Sequence, residues 1–262
     1  MLSPAEFVES YLQIGEKKAN AKTGRLFLLA ILAGFAIGMG AAVTTAASGA
    51  VENPSLAKII CGTLFPLGLM IVVLTGAELF TGNCLMTIPL LGGRIGLGGI
   101  ARNLTIVYFG NFAGALALAA GIAFASGPAM ADWQVVKTVT TAAAKCSLPF
   151  GRALVLGILC NLLVCIAVMC ALCAKDVTGR ILGSFGAICM FVVCGFEHCV
   201  ANMYYIPAGL FAKNLAVCSS LDLSALTWGN FLVGNLLPVT LGNLIGGCGF
   251  AALIWFGHRK AA

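Results

Sequence analysis

Six stretches of this chain carry no charged side chain: 26–51, 59–77, 103–131, 153–174, 181–196 and 223–257. Crossing about 30 Å of hydrocarbon takes roughly 20 apolar residues in a helix. Four of the runs exceed that length, while the second and fifth are marginal on their own, so six crossings is the natural reading. Composition agrees, with 60% of residues hydrophobic and 9% charged, far from the balance of a soluble domain. The expected class is an all-α membrane protein set in the lipid bilayer.

Residues 1–25 open with MLSPAEFVESYLQIGEKK, where no basic flank leads into an apolar core, so the segment does not read as a cleavable signal. Ser3, Pro4 and Glu6 match a capping box with proline at the first helical position. Val8, Tyr11, Leu12 and Gly15 then share one face, which predicts a helix at the membrane interface. Basic residues close to membrane-crossing segments are retained in the cytoplasm. Placing the N-terminus there puts Lys17, Lys18, Lys22, Arg25, Arg94, Arg102, Lys175, Arg180, Arg259 and Lys260 on the cytoplasmic side, against Lys58, Lys137, Lys145, Arg152 and Lys213 opposite. Both termini are therefore expected in the cytoplasm, with the six-span domain at 26–257, a short tail at 258–262 and the cytoplasmic membrane as the location. The net charge of +6 follows from this topology and calls for no nucleic acid.

Most of the twelve cysteines sit inside the apolar runs, where they act as small hydrophobes. The CxxC pair Cys170 and Cys173 has no second pair or nearby histidine to complete a metal site. No metal or cofactor is expected.

The second and fifth runs resume after a glutamate, Glu78 and Glu197, each in a place where charge is costly. An unbroken helix over 59–93 would be about 50 Å long, far more than the hydrocarbon needs. Each segment must therefore break or bend. Gly76, Glu78 and Asn83 recur at the spacing of Gly195, Glu197 and Asn202, followed by Pro89 and Pro207, and a weaker GNxxG echo joins Gly110, Asn111 and Gly114 to Gly242, Asn243 and Gly246. Three spans per half, roughly 26–131 and 150–257, force the halves into opposite orientation, the mark of an inverted repeat. Discontinuous helices in such repeats line a path near the midplane. Glycines four apart, Gly34 with Gly38 and the two GNxxG pairs, predict close helix approach around it.

The motifs GAELFTGN at 76–83, LGILCNLLVC at 156–165 and GFEHCVANMYYIPAG at 195–209 make the chain resemble the formate/nitrite transporter family over nearly its full length. The resemblance implies an aquaporin-like helical fold and a homopentamer with one pore per protomer. It also implies passage of small monovalent anions, formate, nitrite and in some members hydrosulfide, and no enzymatic activity. The residues following Thr81 do not settle which anion is preferred. Cysteine richness fits a host living in low oxygen, and with it hydrosulfide or formate.

His198 is the one histidine inside the apolar segments, and at a break beside a glutamate it is a functional candidate. The resemblance places it at the pore centre with Thr81 as hydrogen-bonding partner. It likewise places Lys145 beside the pore and Asn161 on its lining. From the residues alone, Lys145 reads equally as a snorkelling surface lysine, and Asn161 as a tie between helices. Phe65, Leu69 and Phe191 are implied to form an outer constriction, and Leu79 with Val164 an inner one, with Phe80 close by. Glu78 and Glu197 are expected to accept backbone amide hydrogen bonds that hold the unwound loops, with Asn83 and Asn202 grouped with them.

A bare anion crossing an apolar constriction meets a cost that can reach tens of kcal/mol. A weak-acid anion drawn in by Lys145, and sharing or receiving a proton near His198 and Thr81, escapes much of it. The competing reading is a neutral-solute channel of the aquaporin type, which would carry asparagine-proline-alanine at both breaks; here Cys84 follows Asn83 and Met203 follows Asn202. A membrane enzyme or haem protein would need paired histidines or a ligand cluster.

Overall fold

Proline and glycine set the boundaries of an all-helical chain. The computed structural model describes residues 1–126 and 130–259; residues 127–129, inside the third apolar run, and 260–262, which hold Lys260 and most of the expected tail, lie outside it. In order the helices are α1 (Pro4–Ala19), α2 (Thr23–Ser48), α3 (Pro54–Leu64), α4 (Pro66–Thr75), α5 (Phe80–Asn83), α6 (Thr87–Leu91), α7 (Leu97–Ser126), α8 (Asp132–Cys146), α9 (Phe150–Cys173), α10 (Val177–Cys194), α11 (Cys199–Ala212) and α12 (Leu237–His258). A 3-10 turn joins α5 to α6, and a π-helical stretch, Asn230–Leu236, leads into α12. Among the described residues, six segments are long and apolar enough to cross a membrane: α2, α3 continued by α4 (Pro54–Thr75), α7, α9, α10 and Asn230–His258.

Both expected breaks are present. Gly76 ends α4 at φ 67° and Gly195 ends α10 at φ 72°, left-handed conformations that cost an L side chain about 1–2 kcal/mol. Three residues then run without helical structure before α5 and α11 begin. The segments beyond the breaks are almost entirely buried and cross over between halves. α5 and α6 pack against α9, α12 and α1, whereas α11 packs against α2, α7 and α8. Each half therefore completes the other, as opposed orientation demands.

Glycine makes the tightest crossings possible. A Cβ on Gly34 would overlap the Asn111 backbone, and one on Gly246 the Ile158 carbonyl, so α2 meets α7 and α9 meets α12 backbone to backbone.

The capping box is formed as expected: the Ser3 amide donates to Glu6 Oε2 at 2.7 Å and the Glu6 amide to Ser3 Oγ at 3.3 Å. The expected apolar face of α1 is buried, together with Phe7, but its cover is protein. α1 lies on α6 and α12, with Gly15 against Pro89, so its apolar face docks on the helical domain and does not lie free at an interface. The hydrophilic link before α9 likewise proves to be a helix, α8, burying Val135, Val139, Ala142 and Cys146.

Candidate functional site

The two breaks meet side by side. His198, the last unwound residue of the second break, and Thr81, in the first turn of α5 just past the other break, bring imidazole and hydroxyl to 2.9 Å, both buried. The other ring nitrogen, Nδ1, accepts the Ala201 amide at 3.1 Å and so caps α11. An acceptor at Nδ1 leaves the ring proton on Nε2, pointed at the threonine oxygen. Thr81 therefore accepts from histidine and keeps its own O–H free to donate. Phe191 stacks on the imidazole with ring centroids 6.0 Å apart, and Phe65 meets Phe191 edge-on at 5.5 Å. Leu69, Leu79 and Val164 are buried in the same core.

Flanking this pair are two hydrogen-bond networks, one per half, built alike. Lys18 Nζ donates to Glu78 Oε2 at 2.6 Å and to Asn83 Oδ1 at 3.0 Å; Asn83 Nδ2 donates to the same carboxylate at 2.7 Å and to Asn103 Oδ1 at 2.8 Å, and Asn103 donates to the Lys18 carbonyl at 3.1 Å. In the other half Lys145 Nζ donates to Glu197 Oε1 at 2.7 Å; Asn202 Nδ2 donates to Glu197 Oε2 at 2.6 Å and to Asn235 Oδ1 at 2.7 Å, and Asn235 donates to the Lys145 carbonyl at 2.9 Å. Each lysine stands in the last turn of its helix, α1 or α8, where the dipole favours a cation. The duplicated unit thus takes in α1 and α8 as well as the spans.

The copies differ in two details. Asn202 Oδ1 is buried with no hydrogen-bond partner among the described residues, whereas its counterpart on Asn83 holds Lys18. Lys145 instead lies 5.4 Å from the centre of the Tyr205 ring, whose hydroxyl is 2.6 Å from Thr44 Oγ1.

These networks correct the expectation for the glutamates. Their carboxylates bind lysine and asparagine side chains, not backbone amides. Two asparagines, Asn111 and Asn243, satisfy the unwound backbone. Asn111 Oδ1 accepts the Phe80 amide at 2.9 Å, while its Nδ2 donates to the Glu78 carbonyl at 2.9 Å and the Ala30 carbonyl at 2.8 Å. Asn243 repeats this with the Cys199 amide at 2.9 Å and the carbonyls of Glu197 at 3.0 Å and Gly157 at 2.8 Å. With those amides taken, each carboxylate would be an unpaired buried charge, so a lysine is needed beside it.

Two further expectations change. Asn161 donates to the Asn243 carbonyl at 2.6 Å and to Cys84 Sγ at 3.4 Å, so it ties α9 to α12 and to the first broken segment and is not brought to Thr81 or His198. The Phe80 ring packs edge-on against Tyr108 at 5.0 Å and braces α5 against α7 instead of joining the Leu79 constriction. Lys18, Asn103, Asn111, Asn235, Asn243 and Tyr205 went unread as site residues. The GNxxG echo did point at Asn111 and Asn243, though its glycines drew the attention.

On the α1 side a cavity of about 860 Å³ opens towards Leu79, lined by Lys17, Lys18, Lys22, Arg25 and Arg180 together with Glu78 and Asn83. Among the described residues there is no group of three or more His, Cys, Asp or Glu placed to hold a metal ion.

Comparison with known proteins agrees with this architecture. The family model described as formate/nitrite transporter matches residues 5–257. A probable formate transporter of Methanothermobacter thermautotrophicus is 37% identical, with 98% of this chain and 97% of that protein aligned. The formate channel FocA of Haemophilus influenzae is 36% identical over 94% of this chain and 90% of its own. A solved structure described as a pentameric formate channel with formate bound superposes with a TM-score of 0.79 at 35% identity, covering 92% of this chain and 97% of that one. A chain with six membrane-length helices, two opposed breaks and this degree of likeness belongs to the formate/nitrite transporter family.

Proposed function

We propose that each protomer conducts small monovalent weak-acid anions, formate foremost and nitrite and hydrosulfide with it, along a path through the Thr81–His198 pair. The observation that carries this reading is that pair: one titratable ring, hydrogen-bonded at 2.9 Å to a hydroxyl with a free proton, enclosed between Phe191 and Leu79 and flanked by a lysine on either side. Phe65, Leu69 and Phe191 form the constriction on the Lys145 side, and Leu79 with Val164 that on the Lys18 side. The basic lining of the α1-side cavity, Lys17, Lys22, Arg25 and Arg180, favours an anion over a neutral solute. The relatives named as formate channels support formate as the substrate, and the pentameric solved relative supports five protomers per assembly. The basic residues around α1 support a cytoplasmic location for that end and for both termini, with the assembly in the cytoplasmic membrane.

The chemistry follows from the hydrogen bonds. An anion at the midplane accepts from the Thr81 hydroxyl, which His198 orients through Nε2–H. Protonating His198 at Nδ1 would break its cap on Ala201, so the anion gains its partial neutralisation mainly through hydrogen bonding and the nearby Lys145 charge. Full protonation of a carboxylate with pKa near 4 costs about 4 kcal/mol at pH 7, still far below the cost of a bare charge in hydrocarbon.

The test is flux of formate, nitrite, hydrosulfide, chloride and glycerol into liposomes holding the purified protein, across a pH series. Saturable formate flux well above chloride is expected. Glycerol or water conductance without formate flux would replace this reading with a neutral-solute channel.

A further inference from the structure

The cavity on the α1 side carries more positive charge than a monovalent substrate requires. Lys18 is matched by Glu78, but among the described residues Lys17, Lys22, Arg25 and Arg180 have no carboxylate within 4.0 Å. Four uncompensated cations from α1, the α1–α2 connection, α2 and α10 thus face one space of about 860 Å³. Its wall is fixed in place. Arg102 of α7 donates to the Ala19 carbonyl at 3.1 Å, the Ala21 carbonyl at 2.9 Å and Thr23 Oγ1 at 2.8 Å, spanning the connection that carries Lys22. Two of the four cations are arginines, whose planar fork matches phosphate oxygens two at a time.

We propose that this cavity binds a phosphate group as the dianion, and that the bound dianion closes the path to the smaller anion. Attraction to a fixed set of cations doubles with ligand charge. The cost of entering the apolar neck at Leu79 and Val72 rises with the square of that charge, so a dianion held by Arg25 and Arg180 stops where a monovalent weak acid proceeds. The phosphate can come from solution, as orthophosphate or a phosphomonoester, or from a lipid whose headgroup is itself a phosphomonoester. The blocking half of the proposal rests on the reading of this cavity as one mouth of the anion path; the binding half does not.

The experiment has three arms, all on the full-length protein. In phosphatidylcholine liposomes, formate flux is measured with inorganic phosphate on both faces, against potassium chloride at matched ionic strength. Phosphate is expected to lower flux saturably by about fivefold or more, and chloride to do so much less, since screening acts equally for both salts. The Arg25→Gln/Arg180→Gln double variant should raise the half-inhibiting phosphate concentration by about tenfold while formate flux without phosphate persists. Should that pair fail to assemble, Lys22→Gln alone is expected to raise it by about threefold. In the second arm, phosphatidate, whose headgroup is a phosphomonoester, replaces part of the phosphatidylcholine with no free phosphate. Inhibition confined to that arm assigns the phosphate to lipid and supports the site. In the third, calorimetric titration of the detergent-solubilised protein with phosphate reads binding without transport. Binding that the arginine variant loses, in a protein that conducts no formate, would overturn the transport reading and leave the site standing. Equal effects of phosphate and chloride, or inhibition unchanged in the variants, would overturn the site.

Discussion

Lys145 has two separable duties, and a pair of substitutions pulls them apart. Its Nζ lies 2.7 Å from Glu197 Oε1, and the two side chains are 16% and 7% exposed. At that separation, and with an effective dielectric constant near 20, the gross attraction is about 6 kcal/mol, most of it offset by desolvation of both ions. Lys145→Met leaves Glu197 buried and unpaired, which is expected to cost about 3–5 kcal/mol of stability. Adding Glu197→Gln removes the stranded charge and keeps an acceptor for Asn202 Nδ2, so the double variant should return to within about 1–2 kcal/mol of the parent. Transport should not return with it. The double variant deletes cation and carboxylate together, so what the entering anion loses is the Nζ–H donor, worth about 0.5–1.5 kcal/mol, or roughly two- to tenfold in occupancy. Thermal unfolding of the solubilised protein and formate flux in liposomes read the two duties separately. Recovery of flux alongside stability in the double variant would refute the reasoning, since it would reduce Lys145 to a counterion for Glu197.

Three other substitutions or conditions test the remaining parts. Thr81→Val should leave the His198 Nε2–H without an acceptor, costing about 1–3 kcal/mol and most of the formate flux, whereas Thr81→Ser keeps both; equal flux in the valine variant would remove the hydroxyl from the path. Asn243→Leu strands the Cys199 amide and the Glu197 carbonyl at the break, for a loss of about 2–4 kcal/mol, visible as a drop in the temperature at which the solubilised assembly dissociates. The Glu6 carboxyl is held below its ordinary value by the hydrogen bond from the Ser3 amide, then by the Ser3 hydroxyl. A depressed carboxylate contributes its stabilisation above its unfolded value and loses it as pH falls through the folded one. Protection factors of the first-turn amides of α1, with the intrinsic pH dependence of exchange divided out, should therefore be flat near neutrality and fall under acid conditions, and Glu6→Ala should abolish that fall.

Much of this architecture could be read from residue order because its causes are local. A charge-free run of membrane length, a glycine needed at positive φ and a capping box each depend on a few neighbouring residues. Gly76 and Gly195 flagged the breaks for that reason, and Ser3 with Glu6 flagged α1. What stayed hidden depends on partners far along the chain. Lys18 and Glu78 are brought together by tertiary packing alone, and nothing in EKKA suggests equivalence with the AAKC around Lys145. Asn111 and Asn243 serve backbone groups on two other segments each, so their role appears only once α2, α7, α9 and α12 are in place. For Asn161 the residues alone suggest a tie between helices and the family resemblance a place on the lining, and its hydrogen bond to the Asn243 carbonyl is the tie.

The duplication also explains why the centre holds one imidazole instead of two. Aligning Glu78 with Glu197 and Asn83 with Asn202 sets Leu79 opposite His198 in the repeat, and Thr81 opposite Val200. The lysine, carboxylate and asparagine networks, which hold the unwound loops, are kept in both copies. The residues between them are not. His198 caps its own helix through Nδ1, while Leu79 begins α5 with no side-chain cap. Leucine at 79 is buried in the apolar core instead, and the threonine two residues on gives the single ring its acceptor. The symmetric part of the scaffold carries the cost of breaking two membrane helices, and the asymmetric part is free to place a single histidine–threonine pair where the two breaks meet.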